Sequence, residues 1–278
     1  MAKDYDIEQA LRRIESELIG SMIRNMKGHR AWEDGEDLNW EQWQVLQLKS
    51  LEQYRRANAK KFPKQFQDIN DNLEAAIRAA KDQGGMEQEL AILEQIKNGF
   101  KASKIPQNVS AKFFRMNERK LEALIKATTN DLKKGEHAML RMANDQYRKI
   151  IFGAQMYANS GAGTYEKAVD MATHDFLSAG INCIEYKNGA RHNIREYASM
   201  ALKTANKRAY LLGEGEKREE WGIHTVVVNH RGSACPLCMP FEGKVMIDDV
   251  YGGGSAKDGD YMLLSSAMEA GFLHPNCK

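Results

Sequence analysis

The sequence is short of proline, with five in 278 residues, and no stretch of it reaches the roughly 18 consecutive apolar residues that a membrane-spanning helix needs. The first shortage leaves room for long helices, because proline interrupts the helical backbone ladder. The second excludes a helical membrane span. The opening, Met1-Ala2-Lys3-Asp4-Tyr5-Asp6, lacks the apolar stretch of a secretory signal, so the expectation is a chain that folds in a cytosol. In that reducing compartment its four cysteines are thiols or metal ligands rather than disulfides. Aromatics are sparse at 8% against 28% charged residues, and the mean hydropathy is −0.60, the composition of a soluble protein.

An excess of one charge is missing too: 40 Lys plus Arg against 38 Asp plus Glu leave +2, which excludes an overall polybasic nucleic-acid binder and an acidic disordered tail. Any electrostatic partner surface must be local. Enzyme signatures are also absent, with no His-Glu-x-x-His, Gly-x-Ser-x-Gly or Walker sequence and no Gly-x-Gly-x-x-Gly after a strand. There is no internal repeat at a fixed period. The length allows one large or two to three small domains.

What is present is mostly helical patterning. Ile7, Leu11, Ile14, Leu18, Met22 and Met26 form one apolar face from Asp6 to about Met26. The acidic run 33–37 ends it, and Asn39 can cap a second helix carrying Trp40, Trp43, Leu46, Leu51 and Tyr54. Trp32, Trp40 and Trp43 read as packing anchors between the two. After Phe62-Pro63 the pattern predicts helices over 64–82 and 86–100, split at Gly84-Gly85, with a boundary at Asn98-Gly99 and Pro106. From Ser110 nothing interrupts until Gly135, and the pattern resumes from Glu136 to about Tyr157, as one long helix or two in line. A joint at 159–163 precedes a helix from Thr164 to about Ala179; Cys183 sits in a short strand or turn, and a further helix runs from Arg191 to about Leu212. Cys183 itself reads as a small buried hydrophobe.

Two local basic patches stand out. Lys112 to Lys149 carries ten basic and five acidic side chains. Arg191, Arg195, Lys203, Lys207 and Arg208 form the second, the candidate phosphate-facing or DNA-facing residues. For the first patch a solvated helix surface is the readier explanation, and a phosphate-facing surface the sharper alternative.

At Trp221 the character changes. Residues 222–228 are short and β-branched, hence a strand, and 241–247 suggest a hairpin, while Gly252 to Asp260 read as a flexible connector. Within this part Cys235-Pro236-Leu237-Cys238 and His274-Pro275-Asn276-Cys277 repeat one spacing, two ligand types separated by two residues. Zinc needs four soft or borderline ligands in a tetrahedron, and two such pairs supply them. Cys235, Cys238, His274 and Cys277 are therefore the candidate ligands of zinc or another structural metal, stapling the ends of a 35-residue insert. A redox cysteine pair would call for a βαβ context that is missing, and unpaired thiols leave the repeated spacing unexplained. His224 and His230 are near enough to be alternative ligands. Asn229-His230-Arg231-Gly232 beside Cys235 also invites comparison with His-Asn-His nucleases, which require a second free His around an open metal position.

Several segments together resemble the phage minor capsid protein 2 family. They are Tyr5-Asp6-Ile7-Glu8, Glu15 to Ile19, Arg24-Asn25-Met26, Trp40-Glu41-Gln42-Trp43, His230-Arg231-Gly232, the Cys235 to Cys238 pair, Gly243-Lys244-Val245 and His274 to Cys277. More distantly, Trp221, a strand, a Cys pair and a final His-Pro-x-Cys resemble the head-morphogenesis domain of the phage Mu F protein. The resemblance covers essentially the whole chain. It implies a minor head protein, associated with the portal vertex and capsid interior of the virion and present in the host cytoplasm during assembly; with enzyme signatures absent, the expected role is structural rather than catalytic. Its implied partners are portal protein and major capsid protein, with packaged DNA as a weak, non-specific third. Members commonly continue past the His-Pro-x-Cys motif, some into a toxin-like or enzymatic tail, whereas this chain stops one residue after Cys277. The competing class is a zinc-containing nuclease or toxin-linked enzyme acting on nucleic acid.

The expected architecture is mainly α: an elongated helical N-terminal part with a small C-terminal α+β zinc-stapled module. By segment, it comprises an N-terminal helical region at 1–105, a long-helix central region at 106–220 and the α+β module at 221–278.

Overall fold

The computed structural model describes residues 6–27, 40–99, 111–159, 180–186, 189–230 and 234–274, with 167, 170, 171 and 174. The chain is mainly helical. Its helices are α1 (Ile7–Lys27), α2 (Trp40–Lys97), α3 (Ala111–Asn159), α4 (Ile194–Glu220) and a short α5 (Leu264–Glu269). The strands are β1 (Ile184–Glu185), β2 (Arg191–His192), β3 (Thr225–Val227), β4 (Val245–Ile247) and β5 (Met262–Leu263). No helix among the described residues is long and apolar enough to cross a membrane. By contacts the chain divides into two units, one of residues 1–72 and 130–199, the other of 73–129 and 200–278; α2, α3 and α4 contribute to both.

In the first unit α1 starts where Asp6 accepts the Gln9 N–H through Oδ1 at 2.9 Å, an N-cap. Its face Ile7, Leu11, Ile14, Leu18 and Met22 is buried as the spacing predicts. The side chain of Met26, like those of Trp40 and Trp43, lies outside the described residues, as does all of Trp32. Tyr54 of α2 donates to the Leu18 carbonyl at 3.0 Å and meets Tyr147 of α3 edge-on, ring centroids 5.3 Å apart. This packing explains why Pro63 does not break α2. Phe62, Phe66 and Ile69 are buried, whereas Pro63 and Ala59 are exposed, so the carbonyl that loses its helical donor faces water. Gly135 likewise does not interrupt α3: a Cβ there would meet Ile184 Cδ1 at 3.1 Å and Ile194 Cδ1 at 3.2 Å, so the glycine seats the β1–β2 hairpin and the start of α4. The hairpin is antiparallel, Ile184 opposite His192, and turns at Gly189 with φ of 79°. The expected helix over 164–179 falls mostly outside the described residues, with 167, 170, 171 and 174 helical.

In the second unit Gly84 and Gly85, expected to separate two helices, lie inside α2. A Cβ at Gly84 would stand 2.1 Å from the Tyr210 carbonyl oxygen, and one at Gly213 would stand 1.9 Å from that of Lys81. The glycines thus allow α2 and α4 to touch backbone to backbone. Gly213→Ala should lower the urea midpoint of unfolding, at a cost of about 1–3 kcal/mol or more, because backbone rather than a flexible side chain must move. β3 pairs antiparallel with β4, Val226 opposite Met246, and β4 pairs parallel with β5. The strand expected at 222–228 is there, shortened to three residues. The glycine run 252–254 is not the flexible connector its composition suggests. Gly253 donates its N–H to Glu219 Oε2 at 3.0 Å, Gly254 donates to the Asp248 carbonyl at 3.0 Å, and a Cβ at Gly254 would stand 2.8 Å from Ile247 Cγ2. Glycine occurs here for close approach, not for freedom.

Candidate metal centre

A tight turn sets the first two ligands. Cys238 and Met239 both donate their N–H groups to the Cys235 carbonyl, at 3.0 and 2.9 Å, so the two thiols of this turn fall on one side. The chain from α5 then returns: Phe272 packs on Phe241 with ring centroids 5.3 Å apart, and Leu273 takes a φ of 54° before His274. The result places Cys235 Sγ and His274 Nε2 3.0 Å apart. The ligand atoms of Cys235, Cys238 and His274 all lie within 4.8 Å of one another. Zinc–sulfur and zinc–nitrogen bonds of roughly 2.0–2.3 Å set ligand atoms of a tetrahedron roughly 3.3–3.8 Å apart, close enough to these separations that the donor set could close on a metal ion with small side-chain shifts. Hydrogen bonding to His274, then to the Cys238 N–H, brings the Cys235 thiol down to about 7, which favours the thiolate that binds metal. Cys277 lies outside the described residues. A cavity of about 740 Å³ adjoins the cluster, walled chiefly by apolar side chains that include Leu211, Ile223, Val226 and Leu264.

The two alternative histidines stand elsewhere. His224 points Nδ1 at Asp258 Oδ1 at 2.9 Å and Nε2 at Glu219 Oε2 at 3.4 Å. His230 is 76% exposed with Nδ1 3.5 Å from Glu242 Oε2. Neither joins the Cys235, Cys238 and His274 group, which is the one cluster of three or more such ligands found among the described residues.

The candidate phosphate-facing residues fall in both units. Arg191 is on β2, in an ion pair with Glu185 at 3.1 Å, and Arg195 sits 3.0 Å from the buried Glu15 carboxylate. Both belong to the first unit, whereas Lys203, Lys207 and Arg208 belong to the second. Lys203 and Lys207 are exposed, with Lys207 Nζ 5.2 Å above the Tyr210 ring, and Arg208 is half-buried. In the Lys112 to Lys149 patch, Lys120 is spent on a protein acceptor, the Val250 carbonyl. Cys183 is half-buried with Sγ 3.8 Å from the Gly135 carbonyl, and burial pushes its thiol up to about 11, far from a nucleophile.

Glu15 and Asp248 are buried carboxylates that the sequence patterning does not single out. Glu15, inside the apolar face of α1, accepts the Ile181 N–H at 2.9 Å and so ties the start of the hairpin segment to α1. Asp248, just after β4, is fully buried and binds Arg218 of α4 through Oδ2 at 2.7 Å and the Tyr251 N–H through Oδ1 at 2.9 Å. The only signal either offers is an acid among apolar neighbours.

Long packed helices, a small sheet and a thiol–imidazole cluster held on turns define a mainly helical protein with a candidate metal centre. The family model of phage minor capsid protein 2 matches residues 6–278, and the chain belongs to that family, in agreement with the resemblance read from its motifs. Membership places it among the structural proteins of the phage head. No curated protein and no solved structure matches it.

Proposed function

We propose that the chain is a minor head protein of a tailed phage or prophage that acts at the portal vertex on the capsid interior. It would contact portal protein and major capsid protein while heads assemble in the host cytoplasm, and a structural zinc would hold its C-terminal turns. The family match over 6–278 carries this reading. Zinc is supported by the Cys235, Cys238 and His274 cluster, with Cys277 as the fourth ligand from its spacing after His274. Such a metal contributes no chemistry beyond cross-linking: it would join the 235–238 turn to the chain that returns after α5. In proheads purified with the gene present, the protein should be retained, and it should be lost when the helical part is deleted. Proheads that contain none of it would overturn the reading.

DNA is proposed as a weak, non-specific partner. The positive charge is split between two patches with acidic side chains interleaved, and Arg191, Arg195 and Lys120 already serve protein acceptors, so only a few phosphates would be neutralised at once. Each phosphate contact steepens the log–log salt dependence by roughly 0.9 on duplex DNA, so a shallow slope and little binding at physiological salt are expected. Catalytic turnover of nucleic acid is not expected either. Among the described residues His230 has one carboxylate at 3.5 Å and joins no second His or carboxylate cluster of the kind an open catalytic metal requires. Plasmid nicking in the presence of magnesium, manganese or zinc that disappears in His230→Ala would promote a nuclease instead.

A further inference from the structure

Within the first unit, the buried side chains Asn70 of α2 and Glu136 of α3 face each other. The Asn70 amide nitrogen uses both of its hydrogens, one on the Phe66 carbonyl at 2.8 Å and one on Glu136 Oε1 at 2.9 Å. That double donation fixes which end of the amide is nitrogen. The other end, Asn70 Oδ1, is buried and accepts no hydrogen bond from the protein. An ionised carboxylate can only accept, so it leaves that oxygen without a donor, whereas a protonated carboxylic acid has one O–H to give. We propose that Glu136 is carried as the neutral acid and closes a two-bond ring with the Asn70 amide, accepting from Nδ2 and donating to Oδ1, so that α2 and α3 are joined in this unit by a latch that loosens when the proton leaves.

The surroundings agree. Burial pushes the Glu136 carboxyl from its ordinary 4.5 up to about 7, against the opposing pulls of the Asn70 hydrogen bond and the Lys133 charge. Lys133 is exposed, on the same helix, and from α2 it is the uncharged amide that faces the carboxyl. On the other elements of the unit, Glu15 of α1 pairs with Arg195 of α4 and Glu185 of β1 with Arg191 of β2. The sign follows from proton linkage. A carboxyl held higher in the folded than in the unfolded chain binds more protons when folded, so its stabilisation is complete below the ordinary value of 4.5 and is lost as pH rises toward 7.

Glu136→Gln tests this, because a glutamine amide mimics the neutral acid, accepting through its oxygen and donating to Asn70 Oδ1. The stability of the full chain is followed by urea unfolding across pH. The variant should match wild type near pH ~4, below the ordinary carboxyl value, and exceed it by a margin that grows from there until about pH 8 and then levels off. A margin independent of pH, or a variant less stable than wild type at the upper end, overturns the proposal. A second measurement stands apart from folding of the variant: carbon-13 NMR of wild-type protein labelled at the glutamate carboxyls. One resonance should titrate near neutral pH. If every glutamate carboxyl titrates in the usual acidic range, Glu136 is not held as the acid and the latch does not exist.

Discussion

Chelation of zinc from protein kept reduced is expected to open residues 234–241 and 271–274 to hydrogen exchange while the β3–β4–β5 sheet keeps its protection. The asymmetry comes from how the C-terminal part is anchored. The turn at Cys235 and the return of the chain at His274 meet through the ligand cluster and the Phe241–Phe272 contact. The sheet, by contrast, is pinned to the helices of its own unit. Asp248 binds Arg218, the Val250 carbonyl accepts from Lys120, and the Tyr251 carbonyl accepts from Asn117 at 3.4 Å. Structural zinc in isolated fingers contributes an apparent ~10–16 kcal/mol, nearly all of it folding energy. Here only the turns would depend on the proposed zinc, so the loss should be local. Elemental analysis should find about one zinc per chain. Cys235→Ser and Cys238→Ser should each release it and reproduce the local opening, with the helical part still folded. A reduced preparation that holds no metal and carries a Cys235–Cys238 disulfide would sink the zinc assignment.

How much of this was legible in the sequence depends on whether the deciding contact is local. The buried face of α1 repeats every three or four residues, so periodicity alone finds it. The Cys235 to Cys238 pair is legible because its chemistry is set by spacing within one turn, and its partner His274 because the same spacing recurs. Pro63 and Gly84-Gly85 misled for the opposite reason. As local signals each says that a helix stops, but Pro63 is exposed on a helix held by Phe62 and Phe66, and Gly84 is required by the α4 backbone, which arrives more than 120 residues later in the chain. Glu15 and Asp248 escaped notice because an acid next to apolar residues looks the same whether it is solvated or paired. The partners that decide, Ile181 and Arg218, lie 166 and 30 residues away.

Asp248→Ala is the substitution expected to destabilise the second unit most. Asp248 is fully buried and each of its polar groups is in use: Oδ2 on Arg218, Oδ1 on the Tyr251 N–H, its own N–H on the His224 carbonyl at 2.8 Å and its carbonyl on the Gly254 N–H. Arg218 is nearly as buried, and its other contacts, Gln88 Oε1 at 2.9 Å and Glu214 Oε2 at 3.6 Å, do not replace a carboxylate at 2.7 Å. Truncating the acid therefore strands a guanidinium in a low-dielectric site and leaves the Tyr251 N–H without its acceptor. Breaking a buried pair from one side costs about 3–5 kcal/mol, most of it from the charge left behind rather than from the attraction lost. The same reasoning fixes the outcome of the double variant. Arg218→Met with Asp248→Ala removes both charges, so it should lose less than the sum of the two single changes and less than Asp248→Ala alone. Urea unfolding of the four proteins measures this directly. If Asp248→Ala stays within about 0.5 kcal/mol of wild type, the range of an ordinary surface change, the pair is not what fixes β4 to α4.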